Sequence, residues 1–176
     1  DSVKADVWTM DGQPSPQVVF SGASARDSMK VGSPGCAASA VTVASYTTKT
    51  RWTDFGGAQR AVGLDLDDIS DFSSEGPLRD GAPKPDMAAP GAMIVAALSR
   101  ASAPDASSVI DEDHVIMAGT SMAAPFVSGV IALLLERDPD LDPAGVKRFL
   151  RANSAIPGRQ AGTFDPKWGF GLLNLP

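Results

Sequence analysis

Cysteine is nearly missing from this sequence: Cys36 stands alone among 176 residues. No intrachain disulfide can form, and no cysteine-based zinc site is available. Positive charge is also in deficit, with 15 Lys and Arg against 21 Asp and Glu, a formal net charge of -6 and an isoelectric point near 4.6. A nucleic-acid footprint needs a basic face to neutralise phosphates, so DNA and RNA are set aside as partners. A long hydrophobic run is lacking as well. The longest, Met122 to Leu135, is broken only by Ser128 and covers 14 residues, short of the roughly 20 that a membrane helix requires. No membrane partner is expected, and the run predicts a buried core helix. The chain opens at Asp1 without a basic segment followed by an apolar one. A signal peptide is therefore absent or already removed, and a processed or excised piece is expected. Internal repeats and low-complexity linkers are absent too.

What is present suffices for one core, since 43% of the residues are hydrophobic and the length suits one domain or part of one. Residues 1–26 mix short β-type runs, Ala5 to Trp8 and Gln17 to Phe20, with a Gly-Gln-Pro-Ser-Pro turn, which suggests a hairpin or a sheet edge. The run Ala40 to Ser45 is short, rich in β-branched residues and uncharged, as suits a strand buried on both faces of a parallel sheet. Met93 to Ala97 is a second candidate of that kind. Between them, residues 47–90 are polar and rich in Gly, Asp and Pro, and predict surface loops that carry one short strand. Val115 to Met117 predicts a short strand leading into a helix from near Ser121 to about Arg137, before Asp138-Pro139. A second helix follows: Asp142 suits its N-cap, Pro143 its first position, and Val146, Phe149 and Leu150 share one face. The tail Gly169 to Asn174 predicts a closing turn and a short strand. Strands alternating with helices give an α/β architecture.

The sharpest local feature is Gly119-Thr120-Ser121-Met122-Ala123-Ala124-Pro125, which puts a serine where a short strand meets an apolar helix. The start of a helix offers unpaired backbone N–H groups and a positive dipole end, suited to an oxyanion forming beside the serine. The plain alternative makes Ser121 an N-cap. The heptapeptide resembles the nucleophile motif of the subtilisin-like serine proteases. A second pair supports the resemblance: Asp71-Phe72-Ser73-Ser74-Glu75-Gly76-Pro77, followed by Lys84-Pro85-Asp86-Met87-Ala88-Ala89-Pro90-Gly91, is similar to segments that the family carries in this order. There they shape a loop and a strand leading toward the serine, which gives Asp86 a structural role. The similarity runs from about Val31 to Asn174.

The resemblance implies a subtilisin-like three-layer α/β fold with a mostly parallel sheet, present only in part. Residues 31–176 would be the C-terminal part of the catalytic domain, and residues 1–30 the end of an inserted β segment. It implies peptide-bond hydrolysis through an acyl-enzyme on Ser121, a polypeptide substrate, and a secreted, extracellular and bacterial setting. Thr120 is similar to a threonine whose hydroxyl helps the oxyanion site, with N-terminal capping as the alternative. Gly32-Ser33-Pro34 is similar to the wall of the pocket for the substrate side chain before the scissile bond, with an ordinary Ser-Pro-Gly turn as the alternative.

A serine nucleophile needs a base within hydrogen-bond reach and a carboxylate to orient that base. The family's aspartate motif, its His-Gly-Thr motif and its oxyanion asparagine have no counterpart here. The one histidine, His114, precedes Ser121 by seven residues, an extended path of roughly 20 Å, and is expected in a loop. The upstream part of the same domain is thus an expected partner, and the chain alone is expected to be inactive. The acidic runs Asp65 to Asp68 and Asp111 to Asp113 do not fit an ordered calcium loop. They predict solvated loops; no metal site or cofactor is assigned, although many subtilases use calcium. Two further readings stand against the protease: a non-catalytic subtilase-like binding or regulatory domain, and an α/β-hydrolase esterase. The second expects glycine two residues after the serine, where Ala123 stands.

Overall fold

Small apolar side chains build the centre of this fold, because they let strands and a helix approach closely. The computed structural model describes residues 22, 23 and 25–174. Elements follow in the order β1 (Val43–Thr47), β2 (Arg51–Thr53), β3 (Gln59–Ala61), β4 (Met87–Ala92), β5 (Ile94–Ala97), β6 (His114–Met117), α1 (Thr120–Arg137), α2 (Pro143–Ala152), β7 (Ser154–Ala155) and β8 (Leu172–Leu173). The main sheet has the order β1-β4-β8-β7. β4 is parallel to β1 on one side and to β8 on the other, and β7 is antiparallel to β8. The mostly parallel sheet of an α/β fold is therefore present.

Alternation along the strands sorts residues onto two faces. Val43, Met87, Ala89 and Leu173 meet Ala123 and Val127 of α1 and Val146 and Leu150 of α2. Ala44 and Ala88 point the other way, toward Ile69, Tyr46 and Trp168. Among the described residues both helices thus pack on one face, and loop side chains cover the other. Met87, Leu150 and Val127 are fully buried, and each contributes about 1.5–3 kcal/mol by leaving water.

Four expectations change. β1 begins at Val43 instead of Ala40, because Thr42 spends its N–H on the Asp86 carboxylate and its hydroxyl on the Gly35 carbonyl; side-chain bonds take the place of the ladder. Residues 47–90 are mainly loops, as expected, but they hold more strand than one short piece: the β2–β3 hairpin and most of the buried strand β4. Its sequence, Met-Ala-Ala-Pro-Gly-Ala, has little β propensity, and the strand owes its form to pairing on both sides. Pro90 has no N–H to give, and the ladder shifts register beside it, between Tyr46 and Thr47.

The strand at 93–97 exists, as β5, but it is not buried in the parallel sheet. The chain turns at Met93, φ 55°, and β5 pairs antiparallel with β6, with Val95 to Ala97 exposed. The 14-residue apolar run is not wholly buried either. α1 sinks Ala123 and Val127 against β4 and β1, while Phe126 and Leu133 remain 47% and 67% exposed. Its 18 residues also have the length and mean hydropathy, 1.2, of a membrane span. α2 follows its prediction: Asp142 accepts from Gly145 N at 2.6 Å, Pro143 opens the helix, and Val146 and Leu150 are buried. The two acidic runs lie largely exposed, as expected. The hairpin expected within residues 1–26 and most of the inserted segment at 1–30 lie outside the described residues.

Candidate active site

Ser121 is the second residue of α1 and is exposed, as is Thr120 before it. The N-cap is Gly119, and no side chain caps this helix. Ser121 is therefore not the cap, nor is Thr120. The first turn keeps the free N–H groups of an uncapped helix start, with the positive end of the helix dipole behind them. One bond fixes this turn to the sheet, Gly119 N donating to Gly91 O at 2.8 Å, and another closes the turn on itself, Met122 N donating to Gly119 O at 2.9 Å. Gly91 must be glycine, because a Cβ there would lie 2.5 Å from Ser45 Oγ and 2.9 Å from Ala123 Cβ. That close approach seats the start of α1 near the carboxyl end of β4, where open α/β sheets place their ligand sites.

The segment Asp71 to Pro77 supports the same region from beneath. Ser73 Oγ accepts from Ser45 N at 3.0 Å, and Ser70 Oγ lies 3.0 Å from Ser45 Oγ and 2.9 Å from Thr47 Oγ1. All four side chains are buried and satisfied, so these hydroxyls hold the loop to β1. Phe72, from the same loop, is exposed. With Trp52, Met93, Ile116, Met117 and Ala118 it lines an open, mainly apolar cleft of about 520 Å³, which ends three residues before Ser121.

His114 does not reach the serine. It is the first residue of β6, instead of a loop residue, and the whole of that strand separates it from Gly119. Its Nδ1 lies 2.8 and 3.0 Å from the two carboxylate oxygens of Asp111. The backbone N–H of Asp113, and then His114, hold the Asp111 carboxyl below its ordinary range. Both side chains are about half exposed, which makes this a surface turn. Asp67, in the other acidic run, accepts from the Tyr46 hydroxyl at 3.0 Å. Among the described residues no three His, Cys, Asp or Glu side chains converge on a point where they could hold a metal ion.

Gly32 lines a separate cleft of about 620 Å³ together with Met29, Lys30, Val31, Cys36 and Leu78 to Asp80. Ser33, Thr120 and Ser121 lie outside that lining. Asp86 is held on three sides: by Thr42 N at 2.8 Å, by Lys84 Nζ at 2.7 Å and by Lys147 Nζ at 3.0 Å. Sequence reasoning gave Asp86 a structural part but missed both lysines and Thr42. One signal was available: Lys84 and Asp86 are two apart in an extended segment, and so share a face.

The sequence pattern that describes the Subtilase family matches residues 10–171. The chain belongs to the subtilase family. It is 35% identical over 136 residues to serine protease AprX of Bacillus subtilis, covering 76% of this chain and 28% of that protein. It is 46% identical over 81 residues to the subtilisin-like protease SBT3.9 of Arabidopsis thaliana, covering 45% of this chain and 10% of the relative. Among solved structures, the CspB protease of Clostridium perfringens superposes with a TM-score of 0.57 at 28% identity, over 84% of this chain and 27% of that one. The chain thus spans between a tenth and three tenths of the length of these relatives, which are both bacterial and plant proteins. The subtilisin-like fold, in part, and membership of a family of serine proteases are established by these matches together with the mostly parallel sheet.

Proposed function

We propose that this chain is the nucleophile-bearing part of a serine endopeptidase that hydrolyses polypeptides outside the cell. The observation that carries this is the placement of Ser121: exposed, second in an uncapped helix, seated by Gly119 and Gly91 near the carboxyl end of β4. In the reaction, Ser121 Oγ attacks the scissile carbonyl and passes its proton to a base. The C–N bond then breaks as the amine takes up a proton, and water releases the acyl group. Backbone N–H groups of the first turn of α1, and the Thr120 hydroxyl, face the oxyanion. Gly32 and Ser33 form the wall of the pocket for the residue before the scissile bond.

The base and its carboxylate are assigned to the upstream part of the same domain, with a side-chain oxyanion donor. His114, the one histidine in the sequence, is engaged with Asp111 at the far end of β6. A lone serine hydroxyl is a weak nucleophile near neutral pH. The intact protein should therefore be labelled at Ser121 by a fluorophosphonate, with labelling abolished in Ser121→Ala, while the isolated chain of 176 residues stays unlabelled. An intact protein that resists the probe and cleaves no peptide supports the non-catalytic reading, a subtilase-like binding or regulatory domain. Labelling of the isolated chain would return the role of base to His114, with His114→Ala as the variant to assay.

A further inference from the structure

Away from Ser121, a densely bonded polar cluster among the described residues surrounds Lys84. Its side chain is 4% exposed. Its Nζ donates to Ala40 O at 2.6 Å, to Asp86 Oδ2 at 2.7 Å and to Thr42 Oγ1 at 3.1 Å. Asp86 Oδ2 accepts from Thr42 N, and Asp86 N donates to Thr42 O, both at 2.8 Å. From α2, Lys147 Nζ reaches Asp86 Oδ1 at 3.0 Å and donates to Ala38 O at 2.6 Å. Three alternate residues, Ala38, Ala40 and Thr42, are thus bound from one side by two ammonium groups and the carboxylate between them.

Such a cluster is a poor choice for stability alone. Removing charges from water costs as much as their attraction returns, and burial lowers the Lys84 pKa against the opposing pull of Asp86. What it does supply is a fixed position. Thr42 passes that position on: its hydroxyl accepts from Lys84 and donates to Gly35 O at 2.6 Å. Gly35 belongs to a tight turn in which Cys36 N donates to Gly32 O at 3.1 Å. Gly32 and Cys36 both line the larger cleft. Hydrogen bonds and one turn of chain therefore connect the buried cluster to the cleft.

We propose that Lys84, Asp86 and Lys147 are positioning residues which, through Thr42 and Gly35, hold the Gly32 wall in the place where it meets the substrate side chain preceding the scissile bond. This rests on the reading of Gly32 as that wall and of Ser121 as the nucleophile. The residues act on substrate without touching it, so their loss should raise KM and blur selectivity while leaving the serine's chemistry alone.

The test uses the intact protein and peptides that differ only in the residue before the scissile bond. Thr42→Val removes the relaying hydroxyl at nearly constant volume, and Lys84→Met removes the ammonium. For the preferred peptide each should raise KM about tenfold with kcat little changed, the scale expected for losing a charge-assisted bond and shifting a binding wall. Preference among the peptides should flatten. Labelling of Ser121 by a small fluorophosphonate that leaves the pocket empty should stay within about twofold of wild type. Thr42→Ser, which keeps the hydroxyl, should restore KM. If Lys84→Met does not fold, the Thr42→Val and Thr42→Ser pair decides. Unchanged KM and preference in Thr42→Val overturns the proposal, as does a fall in kcat and labelling rate in step with the rise in KM. Failure of the protease reading looks different: the wild type itself is then unlabelled, or Ser121→Ala keeps its activity.

Discussion

The two α-helices among the described residues are built on opposite principles. α2 follows the local rules for a helix start: Asp142 caps it, Pro143 opens it, and Val146 and Leu150 face the sheet while Arg148 is exposed and Arg151 lies over the Phe170 ring. α1 breaks several. It has no side-chain cap, carries Pro125 in its first turns, and is apolar on the outer face as well as the inner one. A helix that only needed to be stable would resemble α2. The missing cap in α1 leaves backbone N–H groups beside Ser121, and a serine or aspartate at position 119 would consume one of them. Gly119 also holds a φ of 156° that side-chain-bearing residues rarely adopt. The difference fits the roles proposed above, α2 as scaffold and the start of α1 as the site, with local stability given up where the proposed chemistry needs unpaired groups.

The comparison breaks most visibly if the two helix starts are disabled in turn. Ser121→Ala in the intact protein should lower kcat by about a millionfold, as loss of an activated serine does in proteases of this type. Its melting temperature should hold or rise slightly, since alanine is the better helix former. Peptidase assays beside thermal melts check both halves. Retained activity would remove Ser121 from the mechanism, and a large loss of stability would make the start of α1 scaffold like that of α2.

The outer face of α1 gives an intermediate effect. Phe126 and Leu133 are exposed, and the isolated chain should self-associate through this face, because contiguous apolar surface of this kind seeks cover. Sedimentation should find species larger than the 18.2 kDa monomer, and Leu133→Lys should shift them toward it. On the proposal that an upstream part of the domain covers this face, the same substitution should lower the melting temperature of the intact protein. A wild-type chain that is monomeric at high concentration would show that α1 needs no cover, and would weaken the assignment of that partner.

Legibility in the sequence follows the range over which each feature is specified. The start and inner face of α2 were readable because their signals, Asp142, Pro143 and the spacing of Val146, Phe149 and Leu150, lie inside one short window. The seat of Ser121 was readable for the same reason: turn, serine and apolar run are contiguous. β4 was not, since Met87 to Ala92 becomes a strand only by pairing with β1 and β8, each more than 40 residues away in sequence. The environment of β5 was lost because an apolar run looks alike in a buried parallel strand and an exposed hairpin. The burial of α1 was overstated because composition tells how apolar a helix is and not which of its faces meets a neighbour. The Lys84 cluster joins Thr42 and Lys147 to the neighbouring pair Lys84 and Asp86, and only the fold brings the first two to that pair.

The smallest effect belongs to the cap of α2. Asp142 Oδ1 accepts from Gly145 N at 2.6 Å, so Asp142→Ala leaves a first-turn N–H without its partner and removes a carboxylate from the positive end of the helix dipole. The expected loss is about 1 kcal/mol of stability. Asp142→Asn keeps the acceptor and should recover most of it. Neither variant should change the rate of Ser121 labelling in the intact protein, because α2 meets the sheet through Val146 and Leu150 and not through Asp142. Denaturant melts of the three proteins, read beside labelling rates, sharpen the contrast: stability should move with the α2 cap while reactivity stays put. A labelling rate that fell with Asp142→Ala would show that the two helix starts are coupled, and that the division between scaffold and site is drawn in the wrong place.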